Sequence, residues 1–504
     1  MGTTKTIIKN ASFLYGKMCI TVFISLYSTR IILNSLGVVD YGIFNIVGGA
    51  ISMLGFLNGA LADATQRFMS YSEGEQNKKK QKSIFNISII LHFIIACIAS
   101  IALLICGSLF FNGILNIPTE RLFAAKIIYG SLITSTAFTI MSVPYDAAIN
   151  AHENMKYYAI VGIVESLLKL SVAFITAKSS SDKLIVYGIL MACIPFITLT
   201  ILRIYCKKNY EECTFNPKKY FSKPLASSII NYAAYNFVGI GGNMIGNYGN
   251  GIIVNHFFGV TLNAAMGIVT QITGQLMAFS NNLMKAINPV IVKKEGANDS
   301  NAMLYYSFIG CKFPVLMFSI FAIPFWVETH YILQIWLGNI PQWTLLFVKL
   351  QIIRIILELL TLGLNTTLAA KGKIKRWNIA NVVISLTSLI LLYILYKFNL
   401  PEYTLFIVTI TSYGIVLGII RLHYCKTYCR LRYKSFLKEV LLPCLLTLSI
   451  CFILSNSITF FLEESIIRLC LVFIVCLLSH LGTIYYTILK PEERKQIKSF
   501  IKRI

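Results

Sequence analysis

Apolar stretches of about 20 residues tile nearly the whole chain and are separated by short polar gaps. In hydrocarbon every backbone N–H and C=O must be bonded within the protein, so stretches of this length predict membrane-spanning helices and an all-α integral membrane fold. Boundaries drawn at charges, prolines and polar clusters give about 14 spans. They start near Ala11, Tyr41, Ile84, Leu122, Tyr157, Leu184, Ala226, Val260, Ala302, Trp343, Asn378, Glu402, Phe436 and Ile466. The first run follows only a short polar start and is long enough to span, so no cleavable signal is expected.

Charge orients these spans. The chain carries 45 Lys and Arg against 21 Asp and Glu, a net charge of +24. About 32 of the cations fall in the even-numbered gaps and the two termini, against about 5 in the odd-numbered gaps. This asymmetry predicts a multi-pass protein of a bacterial inner membrane with both termini cytoplasmic. The charge is spread over short loops rather than gathered on one domain, so anionic membrane lipids explain it better than a nucleic-acid partner. The 13 cysteines lie mostly inside spans and show no disulfide framework. His423, Cys425 and Cys429 are too loosely spaced, beside Arg430 and Arg432, for a metal site, and neither metal nor cofactor is expected.

The chain also repeats. An offset of about 222 residues aligns Gly37-Val38 with Gly259-Val260, Ile46-Val47 with Ile268-Val269, Ala64 with Ala286, and Glu73-Gly74 with Glu295-Gly296. The offset carries the second span onto the eighth, an even number of crossings, so the halves are parallel repeats of six helices about an axis along the membrane normal. The predicted organisation is a six-helix lobe over 1–210, a second over 226–425, two extra spans over 436–489 and a basic cytoplasmic tail over 490–504. Such repeats enclose a central site and rock about it, which favours a transporter over an intramembrane enzyme.

Several ordered motifs then resemble one family. Arg30, Leu36-Gly37, Asp40-Tyr41-Gly42 and Ala64-Thr65-Gln66-Arg67-Phe68 look like the opening signature of the Wzx-like polysaccharide flippases. These flippases belong to the multidrug/oligosaccharidyl-lipid/polysaccharide exporter (MOP) superfamily. Pro144 with Ala151-His152-Glu153, Ile335-Trp336-Leu337-Gly338 and Ala369-Ala370-Lys371-Gly372-Lys373-Ile374-Lys375 resemble later loops of the same group. The resemblance covers about the first 420 residues. It implies a MATE-like pair of lobes with alternating access, flipping undecaprenyl-pyrophosphate-linked oligosaccharide to the periplasmic leaflet for O-antigen, capsule or exopolysaccharide assembly. The polysaccharide polymerase machinery is a candidate partner, and proton or sodium coupling is left open, because Asp63 is near the end of the second span and Glu165 and Glu358 have basic neighbours.

Such a substrate needs cations for its diphosphate and neutral hydrogen-bonding groups for its sugars, and every ionisable group within a span is a candidate. Lys17, Arg30 and Lys285 have no local partner in sequence and are the expected diphosphate contacts, with snorkelling to an interface as the alternative. Glu165 with Lys169, and Arg354 with Glu358, are four apart and satisfy each other on one helix face. Asn236, Asn243, Asn247 and Asn250 form one polar stripe in the seventh span, beside a stripe of Gly239, Gly242, Gly246 and Gly249. The amides suit sugar hydroxyls, or alternatively join helices, and the glycines allow the span to bend. Gln271 and Gln275 extend the polar wall. Pro314 and Pro324 are expected to kink the ninth span.

A multidrug or metabolite exporter on the same fold is the nearest alternative. A membrane polymerase or glycosyltransferase fits less well, because the odd-numbered gaps are short and poor in acid-base residues. The longest, from Val327 to Pro341, holds only Glu328 and His330.

Overall fold

The computed structural model describes residues 2–52, 55–111, 118–338 and 340–488, so the predicted basic tail from Lys490 lies outside the described residues. Within them every regular element is helical. The helices are α1 (Gly2–Ser52), α2 (Gly55–Gly74), α3 (Lys78–Leu109), α4 (Leu122–Ala151), α5 (Met155–Lys178), α6 (Lys183–Asn209), α7 (Lys223–Gly296) and α8 (Ser300–Val327). They continue with α9 (Thr329–Leu337), α10 (Thr344–Leu359), α11 (Leu362–Ala370), α12 (Ile374–Lys397), α13 (Thr404–Cys429), α14 (Tyr433–Phe460) and α15 (Ile466–Thr487). Polar side chains placed just ahead of apolar runs start several of them. Asn77, Asn154, Asp182 and Ser465 accept hydrogen bonds from the first free amides of α3, α5, α6 and α15.

Ten helical segments among the described residues are long and apolar enough to cross a membrane. The expected spans outside this set are those begun near Tyr41, Ala226, Val260 and Trp343, where amides, glycines or charges dilute the apolar sequence. The two middle ones run together as α7, whose only non-helical residue is Gly259 (φ 77°, ψ −168°). Gly37, the only non-helical residue of α1, has nearly the same conformation (φ 76°, ψ 172°). This backbone region is open essentially to glycine alone. The offset that aligns these glycines also carries left-handed Gln76 (φ 55°) onto left-handed Asn298 (φ 58°), and the first residue of α3 onto the first of α8. The repeat read from the sequence thus recurs in the backbone. Around the seventh-span glycines α7 is continuous from Gly239 through Gly249.

Contacts divide the chain into two compact units, Met1–Ile240 with Val292–Asp299, and Gly241–Ile291 with Ser300–Ile504. In the first, α4 packs on α3 and α6, and α1 on α5. Leu103, Ala125, Ile128, Ala173 and Leu184 form its buried core. Lipid tails are as apolar as these side chains, so packing and polar contacts, not burial from water, hold the helices together. Gly188 lets α6 approach the Ile128 backbone, where an added Cβ would lie 3.4 Å from its Cα, and the Tyr129 hydroxyl donates to the Leu103 carbonyl at 2.5 Å. At the end carrying the odd-numbered gaps, Arg121 donates to Asp40 (Nε–Oδ1 2.8 Å) and Asp182 (Nη1–Oδ2 2.7 Å), joining three loops through one guanidinium.

In the second unit α8 is the central helix, flanked by α10, α11, α14 and α15. It carries Pro314 and Pro324 within one continuous helix. Gly310 and Gly363 bring α8 and α11 into backbone contact, and Thr367 donates to Ser307 across them at 2.5 Å. The C-terminal pair is tied on by Arg468, whose guanidinium donates to both oxygens of the fully buried Glu328 carboxylate at 2.8 and 2.7 Å. Deeper in the same pair, His480 meets Ser319 at 2.8 Å.

The expected tenth span is divided into α10 and α11 by a turn at Leu360–Thr361. Arg421, counted from sequence among the topogenic loop charges, is instead only 5% exposed. It stacks on Trp377 and donates to the Thr361 hydroxyl (3.0 Å) and the Glu358 carbonyl (3.4 Å) at that turn. A broken helix at membrane depth needs such compensation, because its freed carbonyls have no water to bond.

At the basic end of the first unit, His152 lies between two carboxylates, Glu212 and, at 3.5 Å, Glu73, and stacks on Tyr210. Burial pushes the Glu212 carboxyl up, but the His152 hydrogen bond and the nearby Lys78 charge outweigh it and leave the group below its usual range. A carboxyl lowered by folding stabilises the protein above its unfolded value of about 4.3 and loses that contribution as pH falls through the folded value. His152→Ala should therefore destabilise the protein at pH 7 by about 1–3 kcal/mol. Thermal melts in detergent should show the deficit shrinking below about pH 4. An equal deficit at both pH values would contradict this account.

Candidate transport site

The first unit contains a cavity of about 430 Å³. Its α1 wall presents Thr21, Ser25, Ser28 and Thr29, spaced along one helix face, and Tyr41 and Phe44 beyond the Gly37 break. Ser166 and Lys169 of α5, and Tyr187 and Met191 of α6, close it. Thr21, Ser28, Thr29 and Ser166 donate to carbonyls of their own helices at 2.7–3.1 Å, which leaves their oxygen lone pairs to accept from a ligand. Phe44 and Tyr187 meet edge to face at 4.9 Å and form an aromatic wall. Lys169 is held by Glu165 at 2.7 Å, the pairing expected from their spacing. The lining therefore combines neutral acceptors, aromatic faces and one tethered ammonium with the aliphatic side chains of Val22, Ile24 and Ile32.

Of the cations singled out from sequence, Lys17 has a partner that sequence spacing could not show. Its ammonium lies 4.4 Å from the Tyr158 ring centroid, and its stem packs on Gly162, where a Cβ would sit 3.0 Å from its Cδ. Arg30 is exposed on α1, next to the cavity residue Thr29, and Lys285 is half-buried on α7. Arg354 donates to Gln351 at 3.1 Å, pairs with Glu358 at 3.7 Å and faces the Tyr413 ring.

The asparagine stripe does not act as one row. Asn236 belongs to the first unit and donates to Asp63 at 3.1 Å. In the second unit Asn243 accepts from Asn381 of α12 at 3.0 Å, Asn250 is buried, and Asn247 is exposed. Gln271 and Gln275 are exposed further along α7. The glycine stripe beside the amides is a packing surface. A Cβ on Gly242 would lie 3.0 Å from the Val382 Cα, one on Gly246 3.5 Å from the Ser385 Cβ, and one on Gly249 2.7 Å from Leu389. The facing residues Asn378, Asn381, Ser385 and Ser388 are all buried and are spaced three, four and three apart. That spacing, the same as the glycines', was the sequence signal that would have paired α12 with α7. Asp63, in contrast, had no such signal, because its partner is remote in the chain.

No protein-family model matches the chain, and no curated protein matches it. Solved structures do match. The fold aligns with the crystal structure of a MATE point mutant at a TM-score of 0.73, with 13% identity over 85% of this chain and 96% of that one. It aligns equally broadly, at 0.72 and 13% identity, with an outward-facing multidrug resistance MATE family transporter of the MOP superfamily. A MOP superfamily transporter from Pyrococcus furiosus, whose binding pocket is described as reversed in polarity, aligns at 0.66 with 12% identity over 86% of this chain and 96% of that one. The chain has the MATE fold. At this identity the likeness establishes architecture alone.

The packing role of the glycine stripe is open to a direct comparison. Gly242→Ala should lower the melting temperature, the overpacking costing about 1–3 kcal/mol. Gly251→Ala, which meets nothing within 4 Å, should be neutral or stabilising by up to about 1 kcal/mol. Equal effects of the two would remove the case for close α7–α12 packing.

Proposed function

We propose that this protein flips undecaprenyl-pyrophosphate-linked oligosaccharide from the cytoplasmic to the periplasmic leaflet of the bacterial inner membrane by alternating access, for O-antigen, capsule or exopolysaccharide assembly. The cavity in the first unit carries this reading, because acceptor hydroxyls beside aromatic faces suit sugar rings, which offer hydroxyl donors on their edges and C–H groups on their faces. Arg30, beside that cavity, is the proposed contact for the diphosphate. Asn247, Gln271 and Gln275 are proposed to meet the glycan from the second half, with Asn243 and Asn250 serving mainly to hold helices together. The proposed movement is a rocking of two six-helix lobes, 1–210 and 226–425, and the basic even-numbered gaps face the cytoplasm. A proton or sodium ion is the proposed driving ion.

One observation favours a second reading. Glu165 stands beside the cavity lysine, and a carboxylate near an aromatic wall is also the chemistry that holds a lipophilic cation, as an exporter of drugs or metabolites would require.

The readings separate in two strains. In a strain lacking the flippase for the matching glycan, the wild type should restore surface glycan, and Ser25→Leu, Ser166→Leu and Arg30→Ala should each reduce it roughly tenfold at equal membrane levels, a loss equivalent to about 1.4 kcal/mol. Full complementation by all three variants would remove this site assignment. In a strain stripped of its drug exporters, resistance to cationic dyes conferred by the wild type but not by Glu165→Gln would instead support the exporter.

A further inference from the structure

In the second unit α8 and α11 touch through Gly310 and Gly363, where a Cβ added to the first would lie 3.3 Å from the Cα of the second. The repeat identifies their counterparts in the first unit. The offset of about 222 residues carries Ser88 of α3 onto Gly310. From the end of α4 onward the offset is about 219 residues. It carries Ala151, the last residue of α4, onto Ala370, the last of α11, left-handed Glu153 onto left-handed Gly372, and both ends of α5 onto both ends of α12. The same offset carries Pro144 of α4 onto Gly363. Where the second unit closes glycine on glycine, the first has a serine and a proline.

Polar atoms collect at that place. The face of α3 that meets α4 runs through Phe85, Ser88, His92, Ala96 and Ala99, all buried. Phe85 meets the Tyr145 ring edge to face at 5.4 Å, and Ala96 and Ala99 pack on Ile140, so Ser88 and His92 lie between two contacts with α4. The His92 Nδ1 is 2.8 Å from the Ser88 carbonyl, a group that only accepts, so Nδ1 carries the hydrogen and Nε2 is left as an acceptor. That Nε2, the Ser88 hydroxyl and the Thr65 hydroxyl of α2 are buried and have no hydrogen-bond partner among the described residues. Ser83 and Ser108 of the same helix, in contrast, donate to carbonyls three or four residues back. Thr65 shares the level of Ser88, because α2 packs on both α3 and α4 and the two residues stand nine and ten positions from the ends of the α2–α3 turn, about 14–15 Å along their helices. Pro144 adds a fourth group, since it has no N–H to offer the Ile140 carbonyl one turn back. In the second unit the counterparts of Thr65, Ser88 and His92 are Ile287, Gly310 and Pro314, so the repeated architecture does not itself call for polar atoms here.

We propose that the seam between α2, α3 and α4 is a binding site for ordered water, held by the Ser88 and Thr65 hydroxyls, His92 Nε2 and the Ile140 carbonyl. Four such groups match the two to four hydrogen bonds that a buried water makes, and left unbonded each would be costly in a bundle surrounded by lipid. His92 Nε2 and the Ile140 carbonyl only accept and the two hydroxyls do either, so the ligand must donate. A neutral donor fits better than a metal cation, because none of the four groups carries a countercharge. Water thus fills between α3 and α4 what direct backbone contact fills between α8 and α11. The proposal is independent of what the protein carries.

The sign of a stability change tests it. In the full chain in lipid nanodiscs, Thr65→Val and Ser88→Ala each remove one partner of the bound water and should lower the melting temperature by about 2–4 °C. Were the hydroxyls dry and unbonded, their removal would relieve a burial cost, so a rise or no change in either variant overturns the proposal. The wild-type melting temperature should be the same in sodium chloride and potassium chloride; a sodium-specific rise that Ser88→Ala abolishes would make the ligand a cation and overturn it as well. Should the variants fail to fold, radiolytic footprinting of the wild type decides. X-ray pulses convert bound water to hydroxyl radicals in place, so Phe85, one turn from Ser88, should be oxidised roughly tenfold faster than the equally buried Phe318 and Phe347 of the second unit. Equal oxidation of the three phenylalanines overturns the proposal.

Discussion

Everything in this structure follows from the absence of water around the middle of its helices. A backbone carbonyl released there must find another donor, and three of the places where the helical path breaks show how that is met. Gly37 and Gly259 break α1 and α7 at matching repeat positions, in odd-numbered gaps of the expected span order. The turn between α10 and α11 falls within the expected tenth span, and there the Arg421 guanidinium supplies the donors. Breaks are thus confined to the ends of spans or to points that a buried polar group can serve.

The same constraint decides how the units cohere. With lipid as apolar as the core, affinity between helices must come from close approach and from hydroxyl and amide bonds. Gly310 against Gly363 and the glycines of α7 against α12 provide the approach, while Ser307 with Thr367 and Asn243 with Asn381 provide the bonds. Polar residues in the bundle therefore divide between cohesion and cargo. Those facing a helix at van der Waals distance belong to the first group, and those lining the α1–α5–α6 cavity, with lone pairs turned to open space, are suited to the second.

What the sequence discloses tracks the range of the interactions involved. Span positions, loop charge asymmetry and the offset repeat depend on local composition or on linear spacing, and the helices, the matching Gly37 and Gly259 conformations and the Glu165–Lys169 and Arg354–Glu358 pairs were legible for that reason. Partners remote in the chain were not. Lys17 against Tyr158, Asn236 against Asp63 and Arg421 inside the second unit all depend on which helix lies beside which. Part of that adjacency was nonetheless written in the matching three-four-three spacing of the small and polar residues on α7 and α12.

The Arg468–Glu328 pair has a consequence in time. Synthesis runs from the N-terminus, so the Glu328 carboxylate is made and placed among apolar helices 140 residues before the guanidinium that answers it. A buried carboxylate without its partner is costly, and until then Glu328 lacks the bonds that offset its burial. The second unit is consequently unfinished until its last helix arrives, and a chain truncated ahead of α15 would leave the Glu328 carboxylate unanswered. The C-terminal pair, an appendage in the repeat, is in this sense the final quality check on the unit it joins.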